Sequence, residues 1–143
     1  MTRKSTVVWA LALCACGAGM KSYQPANEKT KYSEDDLFTA SVNALEARDY
    51  VAIPDRERYA IETREKEVFV SSVPRLSYKY TFQIQTKGST LSINTTCKQN
   101  SATARTEFSD CGEERPERLI KEQKLLQEDI MKRAKTASAT PKD

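Results

Sequence analysis

The chain predicts an α+β fold: an antiparallel sheet of about four strands, with one N-terminal and one C-terminal helix packed on one face. Three observations predict it. Apolar residues recur at helical spacing over 34–48 and again over 116–135. A two-residue period runs over 77–85 between them and resumes after a turn, from Leu91 to Cys97. A length of 143 residues suits a single domain. With 4 Gly, 5 Pro and 30% charged residues, the chain is neither collagen-like nor a Pro/Gly low-complexity sequence.

Helix one is expected from Glu34 to about Arg48. Ser33 stands where a cap accepts from the backbone of Asp36 or its neighbour. Glu34, Asp35 and Asp36 suit the positive end of the helix dipole. Leu37, Phe38, Val42 and Leu45 make one apolar stripe, read as core.

Short strands follow. Tyr50–Ile53 ends at Pro54, which opens a turn through Glu57, and Tyr59–Thr63 and Glu67–Val73 are further candidates. The clearest pattern is a hairpin. Tyr78, Tyr80, Phe82 and Ile84 alternate with Lys79, Thr81, Gln83 and Gln85, and Lys87-Gly88-Ser89 makes the turn. On the return strand Leu91, Ile93, Thr95 and Cys97 share the other strand's dry face.

Helix two is expected from about Pro116 to Lys135, with Pro116 at the first helical position. Leu119, Leu126, Ile130 and Ala134 fall on one face, widened by Leu125 and Met131. Glu117–Lys121, Glu128–Lys132 and Asp129–Arg133 are i,i+4 pairs in the favourable order and read as a solvated face.

The first residues are of another kind. Arg3 and Lys4 precede the apolar run Val7–Leu13, and small residues follow, which is the build of an export signal. Only 14 residues separate Thr6 from Lys21, too few for the ~20 that cross a bilayer as a helix. Leu13-Cys14-Ala15-Cys16 resembles the lipobox of bacterial lipoproteins. That resemblance implies removal of residues 1–15, lipidation of Cys16 and a permanent membrane anchor. Cys14 is the competing position, but it would place the large Leu13 just before cleavage. A plain signal peptide with a secreted product is the alternative. Gly17 follows Cys16 where an Asp would favour inner-membrane retention, so the resemblance favours the outer membrane. Residues 16–32 are then the lipidated cysteine and a flexible tether, 33–135 the domain, and 136–143 a disordered tail.

Residues 1–15 hold two basic and no acidic side chains, so their removal lowers the net charge from +3 to +1. A near-neutral domain has no basic footprint for nucleic acid. Two cysteines remain, Cys97 and Cys111. In an oxidising compartment such a pair reads as a disulfide tying the start of helix two to the dry side of the sheet. Two Cys with no His make a poor zinc site, and no Cys-x-x-Cys motif links them.

Chemistry is sparse. There is no His, which removes imidazole bases and the commonest transition-metal ligand. No Gly-rich phosphate loop is present, and no cofactor is expected. The acidic clusters Glu34-Asp35-Asp36 and Glu113-Glu114 read as a helix N-terminus and a solvated loop. Tyr78, Tyr80 and Phe82 could form an aromatic binding face, though core is their commoner use.

Glu34–Tyr50, with Val51–Ile53, Asp55-Arg56 and Ile61–Thr63 after it, is similar to the helix-grip domains of BamC/NlpB-type outer-membrane lipoproteins. The likeness implies a helix, antiparallel strands and a closing helix, and an envelope location. It transfers no functional residue. The expected function is a non-enzymatic, membrane-anchored binding or assembly module. Its expected partners are the membrane and an envelope protein or barrel assembly component. The alternatives are a cell-wall enzyme working through carboxylates, or a structural surface lipoprotein.

Overall fold

A computed structural model describes residues 19–72, 75–100 and 107–141. The expected leader, residues 1–15, and Cys16 lie outside the described residues. The order is β1 (Met20–Ser22), β2 (Ala26–Lys29), α1 (Glu34–Ala47), β3 (Ala52–Asp55), β4 (Ala60–Thr63), β5 (Lys66–Ser72), β6 (Arg75–Gln85), β7 (Thr90–Asn100), β8 (Phe108–Asp110), β9 (Glu114–Pro116) and α2 (Glu117–Ala139).

The class is α+β as expected, but the main antiparallel sheet has seven strands rather than four. The hairpin β6–β7 explains the surplus. Both strands run 11 residues. Each is long enough to carry two short neighbours in succession along its outer edge. On β6 these are β5 and then β4, which carries β3; on β7 they are β2 and then β8. The hairpin register sets Tyr80 opposite Cys97, Phe82 opposite Thr95 and Ile84 opposite Ile93. All six side chains are buried, together with Tyr78 and Leu91, so the alternation marks the dry face correctly.

Both helices contribute to the same core. Leu37, Phe38, Ala44 and Leu45 of α1 and Leu119, Leu126, Ile130 and Ala134 of α2 cluster with the sheet's dry face. Ser33 caps α1, its Oγ accepting from the Asp36 N–H at 3.1 Å. The other end of α1 closes with Asp49 at φ 61°. The N–H of Asp49 donates to Glu46 O at 3.1 Å and that of Tyr50 to Leu45 O at 3.0 Å. A left-handed residue just past the last turn satisfies carbonyls that the helix leaves open.

Several expectations are corrected. The flexible tether assigned to 16–32 holds two short strands from Met20 onward: β1 pairs with β9 and β2 with β7. Three- and four-residue strands have too few positions to show a period, and polar residues suffice on an edge. The tail assigned to 136–143 is helical as far as Ala139, where Ala137 and Ala139 favour helix. Leu125 does not widen the buried stripe of α2; it is 48% exposed. Pro54 lies within β3, an edge strand where a missing N–H is tolerated. Pro116 caps α2 rather than opening it.

Candidate functional site

Where α1 ends, β6 and the first turns of α2 meet in a small polar cleft of about 150 Å³. The bend at Asp49 drops Tyr50 onto the sheet, and its ring packs edge-on against Tyr80 and Phe82. The Tyr50 and Tyr80 hydroxyls lie 2.7 Å apart. Tyr50 also donates to Glu122 Oε1 at 3.4 Å, and Arg48 Nη1 meets the same oxygen at 3.2 Å. Arg48 Nε reaches Asp129 at 3.5 Å. Lys66 Nζ sits 4.6 Å from the centre of the Tyr50 ring, and Arg118 completes the wall.

Burial raises the Tyr50 hydroxyl far above the ordinary phenol range, reinforced by its bond to Tyr80. Tyr78 and Tyr80 are raised as well, chiefly by burial. These phenols therefore stay neutral donors and acceptors. Glu122, the cleft's one carboxylate, is engaged by Arg48. The volume holds about five waters at ~30 Å³ each, well below the few hundred Å³ of a small-molecule site. Such a cleft can receive a single polar or anionic group; it has no opposed acid and base.

A second polar cluster closes the outer edge of β7. That edge pairs with β2 over Thr90–Ile93 and with β8 from Lys98, leaving Thr95 between two partners. Side chains fill the gap. The Tyr23 hydroxyl accepts from the Thr95 N–H at 2.6 Å, and Arg115 Nε donates to Thr95 O at 3.0 Å. Tyr23 in turn donates to Gln123 Oε1 at 2.8 Å, and the Thr95 hydroxyl donates to the same oxygen. The Arg115 guanidinium stacks 4.5 Å from the Tyr23 ring centre. Buried backbone groups need such partners, and this cluster reads as structural.

Cys97 and Cys111 form the expected disulfide, with Cα atoms 5.4 Å apart. The Cys111 N–H also donates to Cys97 O at 3.1 Å, extending the β7–β8 ladder. Tyr78, Tyr80 and Phe82 are core, not a binding face, although the Tyr80 hydroxyl borders the cleft. Glu34 Oε1 accepts from the Gly88 N–H at 2.7 Å, while Asp35 holds Arg56 at 2.8 Å and Tyr59 at 3.3 Å. Glu114 pairs with Ser22 between β9 and β1. The first acidic cluster thus lies beside the hairpin turn, and the second lies at the start of β9, next to Arg115 and its bond to Thr95.

The sequence reading missed Tyr23, Tyr50, Arg115, Glu122 and Gln123. Gln123 carried a signal, since it stands on the apolar stripe of α2 between Leu119 and Leu126 and is buried there. A polar side chain in that position needs a partner. Among the described residues no group of three or more His, Cys, Asp or Glu is placed to hold a metal, and no helix is long and apolar enough to cross a membrane. No protein-family model matches this chain, and no curated protein matches it significantly.

Proposed function

We propose that the chain is a bacterial envelope lipoprotein, anchored through Cys16, whose domain is a non-enzymatic binding or assembly module. The observation that carries this reading is the Cys97–Cys111 disulfide in a domain that begins directly after the lipobox-like segment. A structural disulfide persists in an oxidising compartment, which fits export. Gly17 supports the outer membrane as the destination.

The cleft beside Tyr50 fits binding better than chemistry, since Glu122 is the one acid that lines it. Glu34 and Asp35 are engaged in local bonds, and Glu122 is tied to Arg48. A carboxylate enzyme needs two acids converging on one cleft with different proton affinities. We read the layout, strands gripping two helices on one face, as helix-grip-like. An envelope protein or a barrel assembly component is the proposed partner, and the cleft beside Tyr50 would receive one of its polar side chains. The test is photo-crosslinking in intact cells from position 66 at the cleft and, as control, from position 87 at the hairpin turn. A discrete envelope-protein adduct from position 66 alone supports the reading. Adducts from neither position, or cleavage of wall glycan by the purified full chain, would overturn it.

A further inference from the structure

The first described residues are tied to the start of α2. Gly19 is held through its carbonyl, which accepts from the Glu117 N–H at 3.0 Å, and Met20 pairs with Pro116. If Cys16 bears the lipid, three peptide links separate it from Gly19. Their full reach is about 11 Å at 3.8 Å per link. The long leash that a 16-residue tether would give does not exist.

That short link ends at an apolar part of the surface. Met20, Val70, Leu76 and Pro116 line one shallow groove of about 150 Å³. On β5, Phe69 is 59% exposed and the groove's own Val70 40%, two of the exposed large apolar side chains among the described residues. Near the same point, Lys21 and Lys121 share Glu117 at 3.0 and 3.6 Å, and Arg118 lies alongside. Three cations thus surround one carboxylate where the chain emerges.

We infer that this end of the sheet, with Met20, Phe69 and Val70 at its tip and Lys21, Arg118 and Lys121 at its rim, rests on the bilayer that holds the anchor. The inference relies on the lipidation of Cys16 proposed above. Its occupant is the lipid surface, because the covalent link leaves little room for anything else between anchor and groove. Apolar side chains enter the headgroup–acyl boundary by ~5–10 Å, and cations favour anionic headgroups. The hairpin turn at Lys87–Ser89 then points away from the membrane, with the cleft beside Tyr50 at the membrane-proximal end.

The test uses the sequence's single tryptophan, Trp9, which lies in the expected leader. A processed chain is therefore free of tryptophan. Phe69→Trp and, separately, Ile53→Trp are made in the full chain, extracted from bacterial membranes and reconstituted in phosphatidylethanolamine–phosphatidylglycerol vesicles. Ile53 is a matched control at 54% exposure. Its pairing through Glu62 to Gln83 sets it about six positions from Ser77, the partner of Phe69. That is ~20 Å along the strands, beyond the depth of interfacial insertion. The mass of each product reports acylation independently. With acylated protein, blue-shifted emission and quenching by chain-brominated lipid at position 69, and neither at 53, supports the inference. Acylated protein with position 69 unquenched overturns it while leaving the anchor intact; a blue shift without quenching does the same and indicates a second copy of the chain. Absence of acylation overturns the anchor and this inference together.

Discussion

Removing the disulfide gives the most quantitative test of how the domain is held together. Cys97 and Cys111 are 14 residues apart, and residues 101–107 separate β7 from β8 in the sequence. Beyond the bridge, three residue pairs tie β8 to β7 among the described residues, and the Cys111 N–H adds a bond to Cys97 O. Closing a loop of this length stabilises by about 3 kcal/mol in the chain-entropy account. Cys97 is buried, so alanine is the right replacement, since it leaves no unpartnered hydroxyl in the core. At about 4 °C per kcal/mol for a domain of this size, Cys97→Ala/Cys111→Ala should lower Tm by about 12 °C. Circular dichroism melts of the full chain, with and without reductant, measure it. Reductant should shift the parent and leave the double variant unchanged. A double variant melting within about 3 °C of an oxidised parent would refute the entropic estimate. Free thiols in envelope-extracted protein would refute the bridge itself.

Other perturbations follow from the same geometry. Tyr23→Phe removes the acceptor for the buried Thr95 N–H and a donor to Gln123, and should cost about 1–3 kcal/mol in urea unfolding; no loss would mean that 19–32 is not integral to the fold. Asp49→Gly, at φ 61° past the end of α1, should raise stability by roughly 0.5–1 kcal/mol, visible as a higher urea midpoint. Burial raises Tyr50, Tyr78 and Tyr80 above the ordinary phenol value. Above about pH 10 the unfolded chain loses phenolic protons that the native one keeps, so stability is full below that pH and falls as pH rises above it. Urea midpoints at rising alkaline pH should show the decline, and Tyr50→Phe should make it shallower; equal slopes would contradict the burial of that hydroxyl.

The parts of the fold that were readable from sequence are those with enough residues to show a period. The alternation from Tyr78 to Ile84 and from Leu91 to Cys97 located the hairpin and its dry face. Ser33 and the three acids after it located the start of α1. The disulfide followed from parity once the leader cysteines were set aside. The strands that escaped notice, β1, β2, β8 and β9, have three or four residues each. Their partners lie far away in sequence, as with Ala26 opposite Ile93, and short polar segments carry no trace of such pairings. The cleft was hidden for the same reason: Tyr50 meets Glu122 across 72 positions. Arg115, which carries no signal in the sequence, is buried against Thr95.

The account stands most directly on the chemistry of one amino terminus. Intact-mass and peptide spectrometry of the protein extracted from bacterial membranes would settle it. The expected result is a chain starting at Cys16, carrying diacylglycerol and an N-acyl group, with Trp9 gone. A product that retains Met1, or that begins elsewhere with no lipid, would contradict the anchor and everything proposed to follow from it.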